Sequence, residues 1–363
     1  MDRVNCPRIG RAKVRHLACV CVVVAPIYLG LDSLLTMNVF ESLFWMGAAL
    51  IALKVFAGAS AKLWLLFGVV CGVGLLNKYS MLFFGLGLFG GLLLTKQRRQ
   101  FASPWIWLGG LVALLIFLPN LLWEIHRGFP TIELLRNVQR SGRNAQTGPL
   151  MFIAEPVLIL DPLAAPVWIA GLIELLRDPK GKGWRVLGIT WVVILTCMLA
   201  MHGRIYYPVP AYPMLFAGGG LAWERWLVGF RSARWLRPVY IALLFITGLL
   251  LAPFAYFPML TVNQYIGYAR FCHLEPPRIE NHLLGPLPQI YADQFGWREM
   301  AQVVANAYYS LPPEEQPSCA IFGQNYGQAG AIDFFGAKMG LPGAISGHEN
   351  YFYWGPRAIR ANA

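Results

Sequence analysis

Residues 63–94 read LWLLFGVVCGVGLLNKYSMLFFGLGLFGGLLL, and Lys78 is the one charged side chain in that run. Two apolar segments, 63–76 and 79–94, meet at Asn77-Lys78. Each is short for the ~20 residues of a spanning helix, so the pair reads as two short helices or as a re-entrant loop. Outward from it lie seven more apolar segments, at 17–35, 39–56, 105–123, 150–176, 186–201, 208–223 and 239–256. Composition agrees: 57% of the 363 residues are hydrophobic and 13% are charged, against about 25% charged in a soluble domain. The expected fold is a membrane all-α, polytopic helical bundle of about nine transmembrane helices over residues 1–256. A small external α/β domain follows at 257–363.

Thirty Lys and Arg against 18 Asp and Glu leave a net charge of +12. Spread over one surface, that excess would suit nucleic acid. Here it sits between the apolar segments: Arg3, Arg8, Arg11, Lys13 and Arg15, then Lys54 and Lys62, then Lys96, Arg98 and Arg99, then 177–185 and 225–237. Such loops face the cytoplasm. The N-terminus is therefore expected inside and the C-terminal domain outside, and no nucleic-acid partner is implied. The first segment has a basic start but no small-residue cleavage site, so it reads as a retained helix rather than a signal peptide.

Beyond residue 257, Pro258, Pro276, Pro277, Pro286 and Pro288 break up a polar stretch. A helix is then expected at 294–310, a short strand at 318–323, and a second helix at 326–339 that ends at Gly340. The domain reaches the aromatic stretch 351–354 without a closing element, and its end is expected to lie further on. Seven cysteines show no C-x-x-C spacing, which excludes a zinc or disulfide framework. A Cys272–Cys319 disulfide stays open as an alternative.

Ionisable groups near a bilayer need a reason to be there. This topology places Asp32, Glu41, Glu155 and Asp161 in the outer halves of their segments, and Glu124 and Glu133 in the external loop after residue 123. Lys78, Arg127, Arg136, Arg140, Arg143 and Arg204 lie on that same side, against the positive-inside trend. Guanidinium groups bind phosphate by bidentate, charge-assisted hydrogen bonds, so these cations point to an anionic ligand at the lipid boundary. The alternative is that they pair with the six acids or with membrane lipids. Tyr206 and Tyr207, beside Arg204, either anchor a helix at the interface or line a pocket for a sugar phosphate. Pro208, Pro210 and Pro213 bend the entry to the following helix. His126 reads as a solvent histidine or a general base. The glycines of 85–91 follow no strand and fit close helix packing, not a nucleotide loop.

The runs Ser33-Leu-Leu-Thr-Met-Asn-Val-Phe-Glu41, Gly72-Val-Gly-Leu-Leu-Asn-Lys-Tyr-Ser-Met81, Phe129-Pro-Thr131 with its Arg-rich sequel, Arg204-Ile-Tyr-Tyr207 and Tyr212-Pro213 resemble the polytopic GT-C glycosyltransferases. The nearest group is the bacterial relatives of protein O-mannosyltransferases and of the lipid A aminoarabinose transferase. Phe295-Gly-Trp297, Asn325-Tyr-Gly327 and Trp354-Gly-Pro356 extend the resemblance into the tail. It implies transfer of a sugar from a polyprenyl-phosphate carrier to a lipid, glycan or protein acceptor on the outer face of a bacterial inner membrane, as in lipopolysaccharide modification.

Such enzymes carry an acidic catalytic pair in a long first external loop. Here that loop runs only from about Asp32 to Asn38, so the chain is expected to be a fragment lacking its start. Asp32 is the remaining candidate base, and Lys78, Arg127, Arg136, Arg140, Arg143, Arg204, Tyr206 and Tyr207 are the candidate donor-binding residues. No cofactor is evident, although the outer carboxylates leave a divalent metal ion possible. The rival functions are a transporter or lipid flippase, disfavoured by an odd helix count without a visible repeat, and a noncatalytic membrane scaffold.

Overall fold

The computed structural model describes residues 7–140, 148–179, 181–229, 235–255, 259–273 and 285–356. Two compact units divide at Pro286 and Leu287.

The first unit is helical throughout its apolar segments. The first segment forms α1 (Pro7–Val24) and α2 (Pro26–Asp32), broken where Ala25 takes the extended conformation that a following proline favours. Then come α3 (Met37–Phe56), α4 (Leu63–Asn77), α5 (Met81–Leu93) and α6 (Pro104–His126). An amphipathic α7 (Pro130–Arg140) follows. The segment expected at 150–176 is split into α8 (Pro149–Ile159) and α9 (Ala165–Arg177), with a 100° bend between them. The set is completed by α10 (Arg185–Ala200), α11 (Tyr212–Gly229), α12 (Leu236–Leu251) and α13 (Val262–Phe271).

Among the described residues, α3, α6 and the Leu236–Phe254 helix are long and apolar enough to cross a membrane, and the bent pair supplies a fourth span if counted as one. α4, α5 and α10 are shorter apolar helices. α6 buries only Gly109 and Glu124 and exposes Trp107, Leu111, Leu115 and Leu122, as a lipid-facing helix does.

Apolar side chains gain little by leaving lipid for a helix interface, so close packing through small residues must supply the cohesion. A Cβ built on Gly68 would lie 2.0 Å from the Gly109 carbonyl oxygen, which brings the α4 and α6 backbones into contact. Gly171 of α9 meets Leu215 of α11 in the same way, at 1.8 Å. Gly87 and Gly91 of α5 abut Thr190 and Val186 of α10, whereas Gly85 in the same run faces open space.

The second unit is helical too, with α14 (Gln289–Ala292), α15 (Trp297–Tyr309) and α16 (Tyr326–Phe335). Ala305, Ile321, Ala329, Ile332, Leu341 and Ala344 form its core. The two expected helices are present, the second finished by a 3₁₀ turn at Gly336–Met339 and left-handed Gly340 (φ 75°). The expected strand at 318–323 is corrected to a single parallel bridge between Phe322 and Ile345. Pro342-Gly343 and Gly347 flank the partner run, leaving too short an extended stretch for a ladder. The described part of this unit is thus not α/β. Cys272 and Cys319 are both free thiols.

Candidate functional site

The site begins at the α4–α5 turn, the one polar interruption in the run that opened the reading. α4 stops at Asn77 because Lys78 is extended (φ −160°, ψ 133°). The Asn77 side-chain amide donates to the Met37 carbonyl at 2.8 Å, tying this turn to the start of α3. Thr36 caps α3 by accepting from the Asn38 N–H. One turn further along, Glu41 points inward and is only 3% exposed.

Lys78 and Ser80 both serve that carboxylate. Lys78 Nζ lies 2.6 Å from Glu41 Oε2 and donates to Asn38 Oδ1 at 2.8 Å, and Ser80 Oγ donates to Glu41 Oε1. Two of the three ammonium donors are used. The charge also sits over two aromatic faces, 5.8 Å from the Tyr206 ring centre and 5.1 Å from that of Tyr207. Those rings meet edge to face at 5.0 Å, and Arg204 Nη1 donates to the Tyr206 hydroxyl at 3.5 Å. Burial, followed by the neighbouring Tyr206, holds the Tyr207 phenol above its ordinary pKa.

Lys78, Arg204, Tyr206 and Tyr207 therefore share one end of the bundle, although more than 120 residues separate Lys78 from the others in sequence. Asp32 joins them, at the end of α2. A small open cleft is lined by Tyr28, Asp32, Asn38, Glu41, Tyr206 and Pro210. Its wall is fastened by the Tyr28 hydroxyl, which donates to the Val209 carbonyl at 2.7 Å. The prolines after Tyr207 produce the 3₁₀ turn Val209–Ala211 that carries this wall into α11.

The other candidate cations stand elsewhere. Arg127 is exposed in the turn after α6, Arg136 and Arg140 are exposed on α7, and Arg143 lies outside the described residues. His126 is exposed at the end of α6.

The six outer acids separate into groups with different partners. Glu124, 4% exposed, accepts from the Tyr79 hydroxyl at 3.1 Å, from the Thr131 N–H at 3.3 Å and from the Thr131 hydroxyl. Tyr79 also donates to Asn120 at 2.6 Å. Asp161, fully buried at the α8–α9 bend with φ 80°, accepts from the Leu163 N–H at 2.9 Å and from the Thr247 hydroxyl at 2.6 Å. Among the described residues, no three His, Cys, Asp or Glu side chains are grouped to hold a metal ion. Sequence reasoning expected Glu41 and Glu124 on the same face as Lys78 but missed their roles as the acceptors that organise Lys78-Tyr79-Ser80. The available signal was the rule that a buried carboxylate needs donors, applied to the one polar tripeptide nearby.

The far end of the bundle gathers the basic loops. Phe56 packs on Trp64, Lys62 lies over the Trp105 ring, and Gly183 sits against Gln97 and Phe56. There the buried Glu174 of α9 pairs with Arg225 of α11 at 2.5 Å.

Residues 9–123 match the family model described as dolichyl-phosphate-mannose-protein mannosyltransferase. This is about a third of the chain, from α1 to the last turn of α6. It holds Asp32, Asn38, Glu41, Lys78, Tyr79 and Ser80, while Arg204, Tyr206 and Tyr207 lie beyond it. No curated protein and no solved structure matches the chain. Together with the apolar helices, the match supports a multi-pass membrane protein of glycosyltransferase kind.

Proposed function

We propose that the chain is a GT-C membrane glycosyltransferase that moves a sugar from a polyprenyl-phosphate carrier to a lipid, glycan or protein acceptor. The reaction would take place at the outer face of a bacterial inner membrane, in the modification of lipopolysaccharide or another envelope component. The observation that carries this reading is the meeting of Lys78, Arg204, Tyr206 and Tyr207 at one end of the bundle, where Tyr206 also lines a small cleft with Asp32.

In this proposal the acceptor hydroxyl attacks the anomeric carbon while Asp32 takes its proton. The anomeric C–O bond to the carrier phosphate breaks with inversion, and the departing phosphate carries away the bonding electrons. Lys78 and Arg204 stabilise that charge at the point where it grows. Glu41 and Asn38 hold Lys78 in place as positioning groups, and the two tyrosine faces screen it from water. Lipid-phosphate binding of this kind needs a cation with a donor to spare, and Glu41 and Asn38 use two of the three ammonium donors of Lys78.

Proteoliposomes loaded with labelled polyprenyl-phosphate sugar provide the test. Arg204→Ala is expected to slow transfer by about 10²-fold, the scale of removing one oxyanion donor. An unaffected rate in a folded Arg204→Ala protein would overturn the assignment. One observation favours the transporter reading, the 100° break beside buried Asp161. Counterflow of a labelled solute without chemical change would put that reading in place of this one.

A further inference from the structure

α7 is only eleven residues long, yet its two faces differ sharply. At 100° per residue, Ile132, Leu134, Leu135 and Val138 fall within an arc of about 160°, and Glu133, Arg136, Asn137 and Arg140 occupy the opposite arc. Three of the four residues of the apolar arc are exposed, Ile132 at 44%, Leu134 at 38% and Leu135 at 61%, and Val138 is half-buried. A helix of this composition in water would be expected to turn its leucines onto the bundle.

The chain leading into α7 fixes where it lies. α6 spans the apolar layer and ends at His126 with exposed Leu122 and Ile125 in its last turns. Two successive left-handed residues, Gly128 (φ 74°) and Phe129 (φ 61°), then break the helix, and Pro130 starts α7. A left-handed Phe is uncommon and persists only when its surroundings hold it. Here the Phe129 N–H donates to the Glu124 carbonyl at 2.7 Å, and the Glu124 side chain accepts from both the N–H and the hydroxyl of Thr131. The first turn of α7 is thereby pinned to the last turn of a lipid-facing helix.

We propose that α7 is an interfacial helix lying flat on the membrane surface, with Ile132, Leu134 and Leu135 sunk into the acyl boundary and Arg136 and Arg140 on anionic lipid headgroups. Charge complementarity and direct continuity with a spanning helix commit the occupant to lipid. An apolar arc beside paired arginines is the pattern of helices that bind in the plane of an anionic bilayer. This gives Arg136 and Arg140 work outside the donor cleft, and it stands independently of the glycosyltransferase reading.

The test uses the full chain in vesicles, with an environment-sensitive fluorescent amino acid at position 135 or at position 137. In phosphatidylcholine vesicles containing phosphatidylglycerol, the probe at 135 is expected to be quenched by nitroxides on the acyl chains and shielded from aqueous iodide. The probe at 137 is expected to show the reverse. Equal iodide quenching at both positions would overturn the proposal. Arg136→Glu with Arg140→Glu should reduce acyl-chain quenching at 135 when phosphatidylglycerol is present and leave it unchanged in pure phosphatidylcholine. An equal effect in both lipids would remove the headgroup contact. Inorganic phosphate at millimolar concentration should have no effect, and displacement by it would assign the arginines to a soluble anion instead.

Discussion

The bundle carries a buried glutamate with a basic partner at each end, and the two pairs have little else in common. At one end Glu41 receives Lys78 at 2.6 Å, together with Ser80, and the lysine also touches Asn38 and two tyrosine faces beside a cleft. At the other, Glu174 receives Arg225 at 2.5 Å, with the arginine side chain 37% exposed. An ion pair alone therefore does not mark a site. What separates the first is that its cation is held by several groups and keeps one donor beyond Glu41 and Asn38, next to the tyrosine that lines the cleft. The second closes a helix interface whose cohesion comes from Gly171 and Gly219 meeting the α11 and α9 backbones.

The largest test of this contrast is Lys78→Ala. Leaving Glu41 buried without its cation is expected to cost about 3–5 kcal/mol of stability, and transfer should fall by about 10²–10³-fold. Lys78→Met with Glu41→Leu restores apolar packing, so thermal unfolding in detergent should recover while transfer does not. Recovery of both would reduce the cluster to a structural device.

At the opposite end the order reverses, because packing outweighs charge there. Gly171→Val forces a side chain into the Leu215 carbonyl and should cost about 3 kcal/mol, whereas Gly85→Ala, which meets open space, should stay within about 0.5 kcal/mol. Arg225→Ala leaves the buried Glu174 without its cation, a loss that water reaching the arginine side relieves in part, and should cost about 2 kcal/mol and leave transfer unchanged. A large loss of transfer from Arg225→Ala would erase the distinction between the two ends.

The smallest effect concerns Tyr207. Burial raises its pKa, so the folded protein holds the neutral phenol more firmly than the unfolded chain does. That contribution is complete below the ordinary phenol value of about 10 and is lost as the pH rises through the higher folded value. Tyr207→Phe should flatten this alkaline loss, measured as unfolding midpoint against pH, and remove one tyrosine from the part of the tyrosinate absorbance that titrates above the ordinary value.

Much of the fold was legible because lipid imposes a coarse rule, and every apolar segment read from the sequence contains helix. The breaks were harder to see. Pro26 announces the one between α1 and α2, but the 100° turn at Asp161 depends on Thr247, 86 positions away, to satisfy the carboxylate. Of the cations expected on one side because positive charge there is out of pattern, Lys78 and Arg204 share the candidate site, with Tyr206 and Tyr207 between them. Which of them meet was not legible: Lys78 and Tyr207 are joined by the packing of α3, α4 and the turn before α11, which no local spacing reports. The strand expected in the second unit failed for a related reason, since β-structure needs a partner and the only described one supplies a single residue.

The hydrogen bond from Tyr28 to Val209 spans 181 positions, and this sets a timetable for biogenesis. Glu41 can find Lys78 soon after both emerge from the ribosome, but the wall that turns their neighbourhood into a cleft is synthesised roughly 7–26 s later at ordinary elongation rates. During that interval the nascent protein has its acid neutralised and no cavity to fill.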